Sequence, residues 1–402
     1  MNQTSSLPTV RASRIESIDL LRGVVMILMA LDHVRHYFHA DSMRVSPTDL
    51  HQTSGALFAT RWITHFCAPT FIFLAGTSAH FIAQRKTPHE VSRFLASRGA
   101  WLVLLQMTLI RFAWNFDPGF HFNSSTIIST IGFSMIALAF LIHLRRPLLL
   151  AVGGAMVLGH NLLDGITFPD GSVRDVLWTF LHGHKAYDLG HGYSFYFLYP
   201  LLPWIGVMAL GYAFGGLYDP EVSSAARKRA LLRLGALSLV GFGLLRGLNV
   251  YGDPRPWSAQ GSFGVTFMSF MNVEKYPPSL LFLAATLGVS FLFLGVVEGR
   301  SLARWRPVVV FGRVALFYYV AHAYLIHLLA MALAVAMGHP WQAMVFLGTT
   351  ETPWPQFHGA YGVGLGAVYL MWTGMVLALY PLCRAWNDFK GRHRARWWVS
   401  YV

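Results

Sequence analysis

Long apolar segments alternate with short polar ones along the whole chain. Runs of about 17 to 25 mostly apolar residues match the length that an α-helix needs to cross a hydrocarbon core of about 30 Å. They predict ten membrane-spanning helices, at 20–37, 62–83, 94–112, 127–143, 148–163, 195–215, 230–249, 278–297, 311–334 and 361–382. The sequence contains no internal repeat or low-complexity linker. Residues 1–402 are therefore predicted to form a single domain of the all-α class, a polytopic integral membrane helix bundle.

Composition and charge support this interpretation and orient the bundle. Hydrophobic residues make up 54% of the chain and charged residues 12%, roughly half of the ~25% charged residues of a soluble domain. Of the 31 Lys and Arg residues, 22 lie in loops on one side, which the positive-inside rule assigns to the cytoplasm. Both termini, 1–18 and 384–402, are thus predicted to be cytoplasmic. Basic residues distributed in this way indicate contact with a lipid bilayer and argue against nucleic acid as a partner.

Three longer loops, 39–61, 164–194 and 251–277, are then predicted to lie outside, and the loop 338–360 with them. They hold several of the 18 histidines. For those in loops, among them His39, His182, His184 and His358, the simplest interpretation is a solvated surface position or a helix cap.

The first span carries the most candidate chemistry, because ionisable side chains inside a membrane are costly and usually functional. Asp19, Arg22 and His33 fall on one helical stripe. Arg22 and His33 are eleven residues apart, about 16 Å of helical rise, which puts a cation at the inner end and an imidazole near the outer end. Histidine exchanges protons near neutral pH, and Asp32 and His39 are close enough to orient it.

Other polar residues leave alternatives open. His65 begins the second span at the level of His33 and is a second catalytic candidate, with an interfacial histidine as the alternative for both. His322 and His327 are five residues apart in the ninth span and would not share a helix face. No histidine or cysteine spacing matches a known zinc motif, so no metal is predicted, while haem ligation stays open. Gln106 and Arg111 would line a polar path or pair with each other.

Several strings resemble one family over nearly the whole chain. They are SIDLLRG at 17–23, LDHVR at 31–35, FIFLAGTS at 71–78, YPLLPWIG at 199–206, KYPPSL at 275–280 and WWVSY at 397–401. They are similar to bacterial membrane proteins related to the heparan-α-glucosaminide N-acetyltransferase group, within the wider transmembrane acyltransferase superfamily. The spacing of Arg22 and His33 also resembles a motif in the first span of membrane enzymes that O-acetylate surface sugars.

The resemblance implies transfer of an acetyl group from cytoplasmic acetyl-CoA to an amino sugar or other glycan acceptor outside a bacterial inner membrane. The catalytic Asn of the lysosomal enzymes resembles Asp32 here, and their catalytic His resembles His39, so the base is either His33 or His39. The basic inner side would meet the phosphates of the donor through Arg22, Arg93 or Arg313, with Asp19 beside them.

Two other functions remain compatible with the sequence. A transporter or flippase would also place polar groups inside the bundle, and a redox protein would use histidines as haem ligands. The sequence leaves the acceptor and the oligomeric state open, a homodimer included.

Overall fold

The computed structural model describes residues 15–41, 45–346, 361–393 and 396–401. His358, most of the loop 338–360 and the first 14 residues of the predicted cytoplasmic N-terminus lie outside the described residues.

The described chain is mainly helical. In order, the helices are α1 (Glu16–Phe38), α2 (Gly55–Ile63), α3 (Cys67–Ala83), α4 (Pro88–Leu105), α5 (Arg111–Asn115), α6 (Ile127–Leu141), α7 (Arg146–Gly159), α8 (Val173–Leu181), α9 (Leu201–Phe214), α10 (Ser224–Leu248), α11 (Phe263–Met271), α12 (Leu280–Val297), α13 (Arg306–Arg313), α14 (Ala315–Ala336) and α15 (Leu365–Arg392). The strands are β1 (Phe122–Ser125), β2 (Lys185–Gly190) and β3 (Tyr193–Phe197).

Each of the ten predicted spans overlaps a helix or consecutive helices, which confirms the all-α membrane class, although the span 195–215 begins in strand β3 and its helix starts only at Leu201. Among the described residues, seven helical regions are long and apolar enough to cross a membrane. They are Gly55–Ala83, Arg146–Leu163, Leu201–Tyr218, Ser224–Leu248, Leu280–Val297, Ala315–Ala336 and Leu365–Arg392. The apolar α6 is shorter. The count of ten spans stays a prediction, because α1 and α4 carry more charge than a lipid-facing helix tolerates.

Helix α1 occupies the centre of the bundle, which explains how it can carry charge. Of its 23 residues, 15 are buried, and it packs against α3, α12, α13, α14 and α15. The contact with α13 is especially close. A methyl group at Gly23 would lie 2.0 Å from the carbonyl oxygen of Val308, and one at Gly312 would lie 1.9 Å from that of Asp19. Glycine is therefore required where these two backbones meet.

Polar N-cap residues set where several helices begin. Thr87 accepts a hydrogen bond from the backbone of Glu90, the Glu90 carboxylate bonds back to the Thr87 backbone, and Pro88 occupies the first turn of α4. The side chain of Ser54 caps α2, and that of Ser279 caps α12. Such caps satisfy backbone N–H groups that have no partner within the helix.

The end of the bundle where α1 finishes carries structure that the sequence analysis treated as loops. Strand β3 lies between β1, with which it pairs in parallel, and β2, with which it pairs antiparallel. Helices α8 and α11 belong to the same connecting segments. We call this the His33 end of the bundle and the opposite end, where α1 begins, the Arg22 end.

Candidate active site

Two cavities lie in the bundle, one toward each end of α1. The His33 cavity has a volume of about 550 Å³ and is lined by His33, Asp32 and polar residues of the sheet and loops at that end. The Arg22 cavity has a volume of about 420 Å³ and is lined by Arg22 and by apolar side chains of the surrounding helices. Ile127 and Tyr319 line both cavities. The two cavities therefore adjoin beside Tyr319.

The hydrogen bonds of His33 determine which of its ring nitrogens carries the proton. His322 Nδ1 lies 2.8 Å from the carbonyl oxygen of Tyr318, which can only accept, so this nitrogen is the donor. In neutral His322 the other nitrogen, Nε2, is then an acceptor, and it lies 2.7 Å from His33 Nδ1. His33 Nδ1 must therefore carry the proton. Its Nε2 keeps a lone pair, and no hydrogen-bond partner for that atom is present among the described residues.

Aromatic rings fix the position of this imidazole. The His33 ring is nearly coplanar with that of His322, with centroids 5.0 Å apart, and meets Trp114 edge to face at 4.7 Å. Trp114 Nε1 donates to the hydroxyl oxygen of Tyr319 at 3.3 Å. Because that oxygen is the acceptor, the hydroxyl proton of Tyr319 remains available at the junction of the two cavities.

Asp32 is held by two arginines and not by the neighbouring histidine. Its Oδ1 accepts from Arg35 at 3.0 Å and its Oδ2 from Arg61 at 2.5 Å. All three side chains line the His33 cavity. One carboxylate therefore balances two guanidinium groups, and one positive charge is left over.

A lysine adds to the positive charge of this cavity. Lys275 is 8% exposed, and its ammonium group lies 5.1 Å from the ring centroid of Tyr276 and 5.9 Å from that of Tyr199. Arg255 is paired with Glu274 at 2.9 Å. No carboxylate of the described residues lies within ion-pair distance of Lys275. The cavity is thus suited to a polar ligand that offers hydroxyl or anionic groups.

Gln106 and Arg111 line the same cavity but do not pair with each other. Arg111 bonds to Asp117 at 2.6 Å, and both side chains are 1% exposed. Burial raises the pKa of Asp117, but the hydrogen bonds from Arg111, His121 and Gly119 outweigh this effect, and the pKa is lowered. The charge of Arg111 is therefore balanced within the protein.

The Arg22 cavity is lined by four cationic side chains, Arg22, Arg98, Arg313 and Lys390. Arg22 donates to Ser78 Oγ at 3.0 Å, and methionine, leucine, isoleucine and phenylalanine side chains form most of the rest of the wall. A cavity with cations at one end and apolar walls is suited to a ligand that joins phosphate groups to a flexible apolar arm.

Asp19 and Arg93, which were also predicted to lie at the donor phosphates, are placed differently at the Arg22 end. Asp19 is 3% exposed and bonds to Arg22 at 3.2 Å and to Arg313 at 3.3 Å, so it positions these two cations. Arg93 is exposed and does not line the cavity. Arg98, five residues further along α4, occupies the position that the sequence analysis assigned to Arg93.

The two alternative histidines also differ in position. His65 is 3% exposed and lines the His33 cavity with its ring against Phe282. His39 caps the C-terminal end of α1, bridges to Val363 and is not among the residues that line the cavity. Of the two interpretations of the loop histidines, the helix cap applies to His39 and His182, which occupy C-cap positions and are 6% and 3% exposed.

The chain matches a known enzyme family. A model of the heparan-alpha-glucosaminide N-acetyltransferase catalytic family matches residues 14–244, more than half of the chain. The chain belongs to this family. Family membership and the apolar helices together make it a membrane-embedded acetyltransferase. No curated protein matches the chain.

The N-acetyltransferase match covers only part of both cavities. It contains α1 with Arg22, Asp32 and His33, as well as Arg61. His322 and Lys275 lie beyond it. These two residues, together with Arg61, Arg98, Tyr319 and Lys390, are site residues that the sequence analysis did not select. His322 gave a signal as an isolated histidine inside an apolar span, and Lys275 belongs to the string KYPPSL.

Proposed function

We propose that the protein transfers an acetyl group from cytoplasmic acetyl-CoA to an amino sugar or other glycan acceptor on the opposite side of a bacterial inner membrane. The Arg22 end, with both termini, faces the cytoplasm in this proposal. The observation that carries it is the meeting of the two cavities beside Tyr319, next to an imidazole whose Nε2 has a free lone pair.

The donor would enter from the cytoplasmic side. Its phosphate groups would bind Arg22, Arg98, Arg313 and Lys390, which form charge-assisted hydrogen bonds. Its pantetheine arm would follow the apolar wall formed by Met26 and Met29. The thioester would then lie beside Tyr319 and near His33, which is about 16 Å of helical rise from Arg22 along α1.

The acceptor would occupy the His33 cavity. Its amine or hydroxyl group attacks the thioester carbon while His33 Nε2 removes the proton, a contribution of about 10²–10⁴-fold to the rate. The tetrahedral intermediate places negative charge on the carbonyl oxygen, to which the Tyr319 hydroxyl donates. The carbon–sulfur bond then breaks, and the thiolate takes the proton from His33 to leave as free coenzyme A.

The remaining residues would position these groups. His322 keeps His33 in the tautomer with a free Nε2. Asp32 does not bond to His33, but its negative charge, one residue away, would favour the imidazolium formed during transfer. Arg61 and Lys275 would hold polar groups of the acceptor. His65 lines the same cavity and would contact the acceptor without exchanging a proton.

A sided transfer assay tests this proposal. Purified protein is reconstituted into sealed vesicles, with glucosamine enclosed and radiolabelled acetyl-CoA added outside. We expect labelled N-acetylglucosamine to accumulate inside, with free coenzyme A released outside. Vesicles that release unmodified glucosamine or take up acetyl-CoA without forming the product would instead indicate a transporter and would contradict the proposal.

A further inference from the structure

A second group of ionisable side chains lies at the His33 end but outside the His33 cavity. His160 belongs to the helical turn His160–Leu163 that follows α7, and Asp164 comes directly after that turn. His182 caps the C-terminal end of α8. The two imidazoles are 1% and 3% exposed, whereas the carboxylate reaches the surface.

Two of the three distances between their ligand atoms match those of a tetrahedral metal site. His160 Nδ1 and His182 Nε2 are 3.3 Å apart, and His182 Nε2 is 3.6 Å from Asp164 Oδ1. All three atoms lie within 4.8 Å of one another. Zinc bonds of about 2.0–2.2 Å at tetrahedral angles separate neighbouring ligand atoms by roughly 3.3–3.5 Å. A zinc ion would therefore fit between these atoms with small side-chain movements.

Neighbouring residues already orient the ligands. Asn161 Nδ2 donates to Asp164 Oδ2 at 3.0 Å, which leaves Oδ1 directed at the histidines. The Trp178 ring stacks on that of His182 with centroids 5.2 Å apart. Groups that hold first ligands in this way are typical of metal sites, because they fix ring orientation and carboxylate geometry in advance.

When no metal is bound, a proton on His182 Nε2 can take its place. His182 Nε2 lies 2.9 Å from the backbone carbonyl oxygen of His160, to which an Nε2–H group would donate. Metal binding displaces this proton, since a histidine must present a lone pair to the ion. The hydrogen-bonded arrangement and the metal site are therefore two forms of one cluster.

We propose that His160, Asp164 and His182 bind a zinc ion, with water in the fourth position. The sequence analysis predicted no metal, because the third ligand follows the second by 18 residues and this spacing matches no known zinc motif. The ion would tie α7 to α8. Asn161 also accepts from the backbone N–H of Leu280 at 2.9 Å. The ion would therefore also stabilise the start of α12, next to the loop that holds Lys275. The inference is independent of acetyl transfer.

The test measures metal content and thermal stability of the full chain. The protein is purified in detergent without a polyhistidine tag or chelator, incubated with zinc and desalted, and its zinc is measured by mass spectrometry. We expect about one zinc per chain in the wild type and a loss of that zinc in His182→Ala and Asp164→Asn. The matched control is His184→Ala, which removes a nearby histidine outside the cluster and should keep the zinc.

Two further readouts separate metal binding from misfolding. Cobalt in place of zinc should give the visible absorption of a tetrahedral site in the wild type and His184→Ala but not in His182→Ala. EDTA should lower the melting temperature of the wild type, with recovery on adding zinc, and should leave that of His182→Ala unchanged. A wild type that retains no zinc, or a His182→Ala variant that retains as much as the wild type, would overturn the proposal.

Discussion

Replacing His322 tests whether the rate depends on the tautomer of His33. His322→Leu removes the acceptor for His33 Nδ1–H, which lies 2.7 Å from His322 Nε2. The proton is then free to move to Nε2, the atom that must accept a proton from the substrate. His322→Gln keeps an amide oxygen able to accept, so it should preserve the productive tautomer.

The size of the effect follows from the cost of an unmade hydrogen bond. Leaving a buried donor without its partner costs about 1–3 kcal/mol. If that energy no longer favours the productive tautomer, kcat should fall about 5- to 150-fold. The KM for acetyl-CoA should stay near the wild-type value, because His322 is not among the residues that line the Arg22 cavity.

The assay compares steady-state kcat and KM per folded protein, with melting temperatures measured in the same detergent. His327→Leu is the matched control, because His327 is also buried in α14 and bonds to backbone carbonyl groups, whereas the ring that bonds to His33 is that of His322. It should lower stability without lowering kcat. The reasoning is refuted if His322→Leu keeps the wild-type kcat, or if His322→Gln loses as much activity as His322→Leu.

Three further substitutions test the Arg22 cavity, the Tyr319 hydroxyl and the ion pairs of Asp32. Arg98→Gln should raise the KM for acetyl-CoA about tenfold or more, because it removes a charge-assisted contact. The substitution of the exposed residue, Arg93→Gln, should leave that KM unchanged. Equal KM values for both variants would contradict the placement of Arg98 in the Arg22 cavity. Tyr319→Phe should lower kcat about 10²–10³-fold if the hydroxyl of Tyr319 stabilises the oxyanion. A wild-type rate of acetyl transfer in single-turnover experiments would exclude that role. Asp32→Asn should lower the free energy of unfolding by up to about 3–5 kcal/mol, because Arg35 and Arg61 lose their shared carboxylate; an unchanged melting temperature would show that the ion pairs contribute little.

The membrane helices could be predicted because bilayer thickness sets the length of each apolar run. The sheet at the His33 end could not. Strand β1 pairs in parallel with β3, which lies about 70 residues further along the chain, and short polar strands acquire their structure only from such pairing. Helices α8 and α11, of nine residues each, are too short to give a clear periodic pattern.

Within the candidate site, the relation between two residues was predictable only where they share one helix. Arg22 and His33 lie on a single stripe of α1, so helical periodicity related them directly. The partner of His33 is 289 residues away in α14, and its identity depends on how the two helices are rotated against each other. Arg93 and Arg98 differ by about 140° around α4, and only the packing of that helix decides which one enters the Arg22 cavity.

The central claim is that His33, and not His39, removes the proton from the acceptor. The most direct measurement is the single-turnover rate of acetyl transfer from saturating acetyl-CoA to glucosamine by His33→Asn and His39→Asn, at matched amounts of folded protein. The account predicts a fall of about 10²–10⁴-fold for His33→Asn and a near wild-type rate for His39→Asn. A His33→Asn variant that transfers acetyl at the wild-type rate, or a fall confined to His39→Asn, would contradict it.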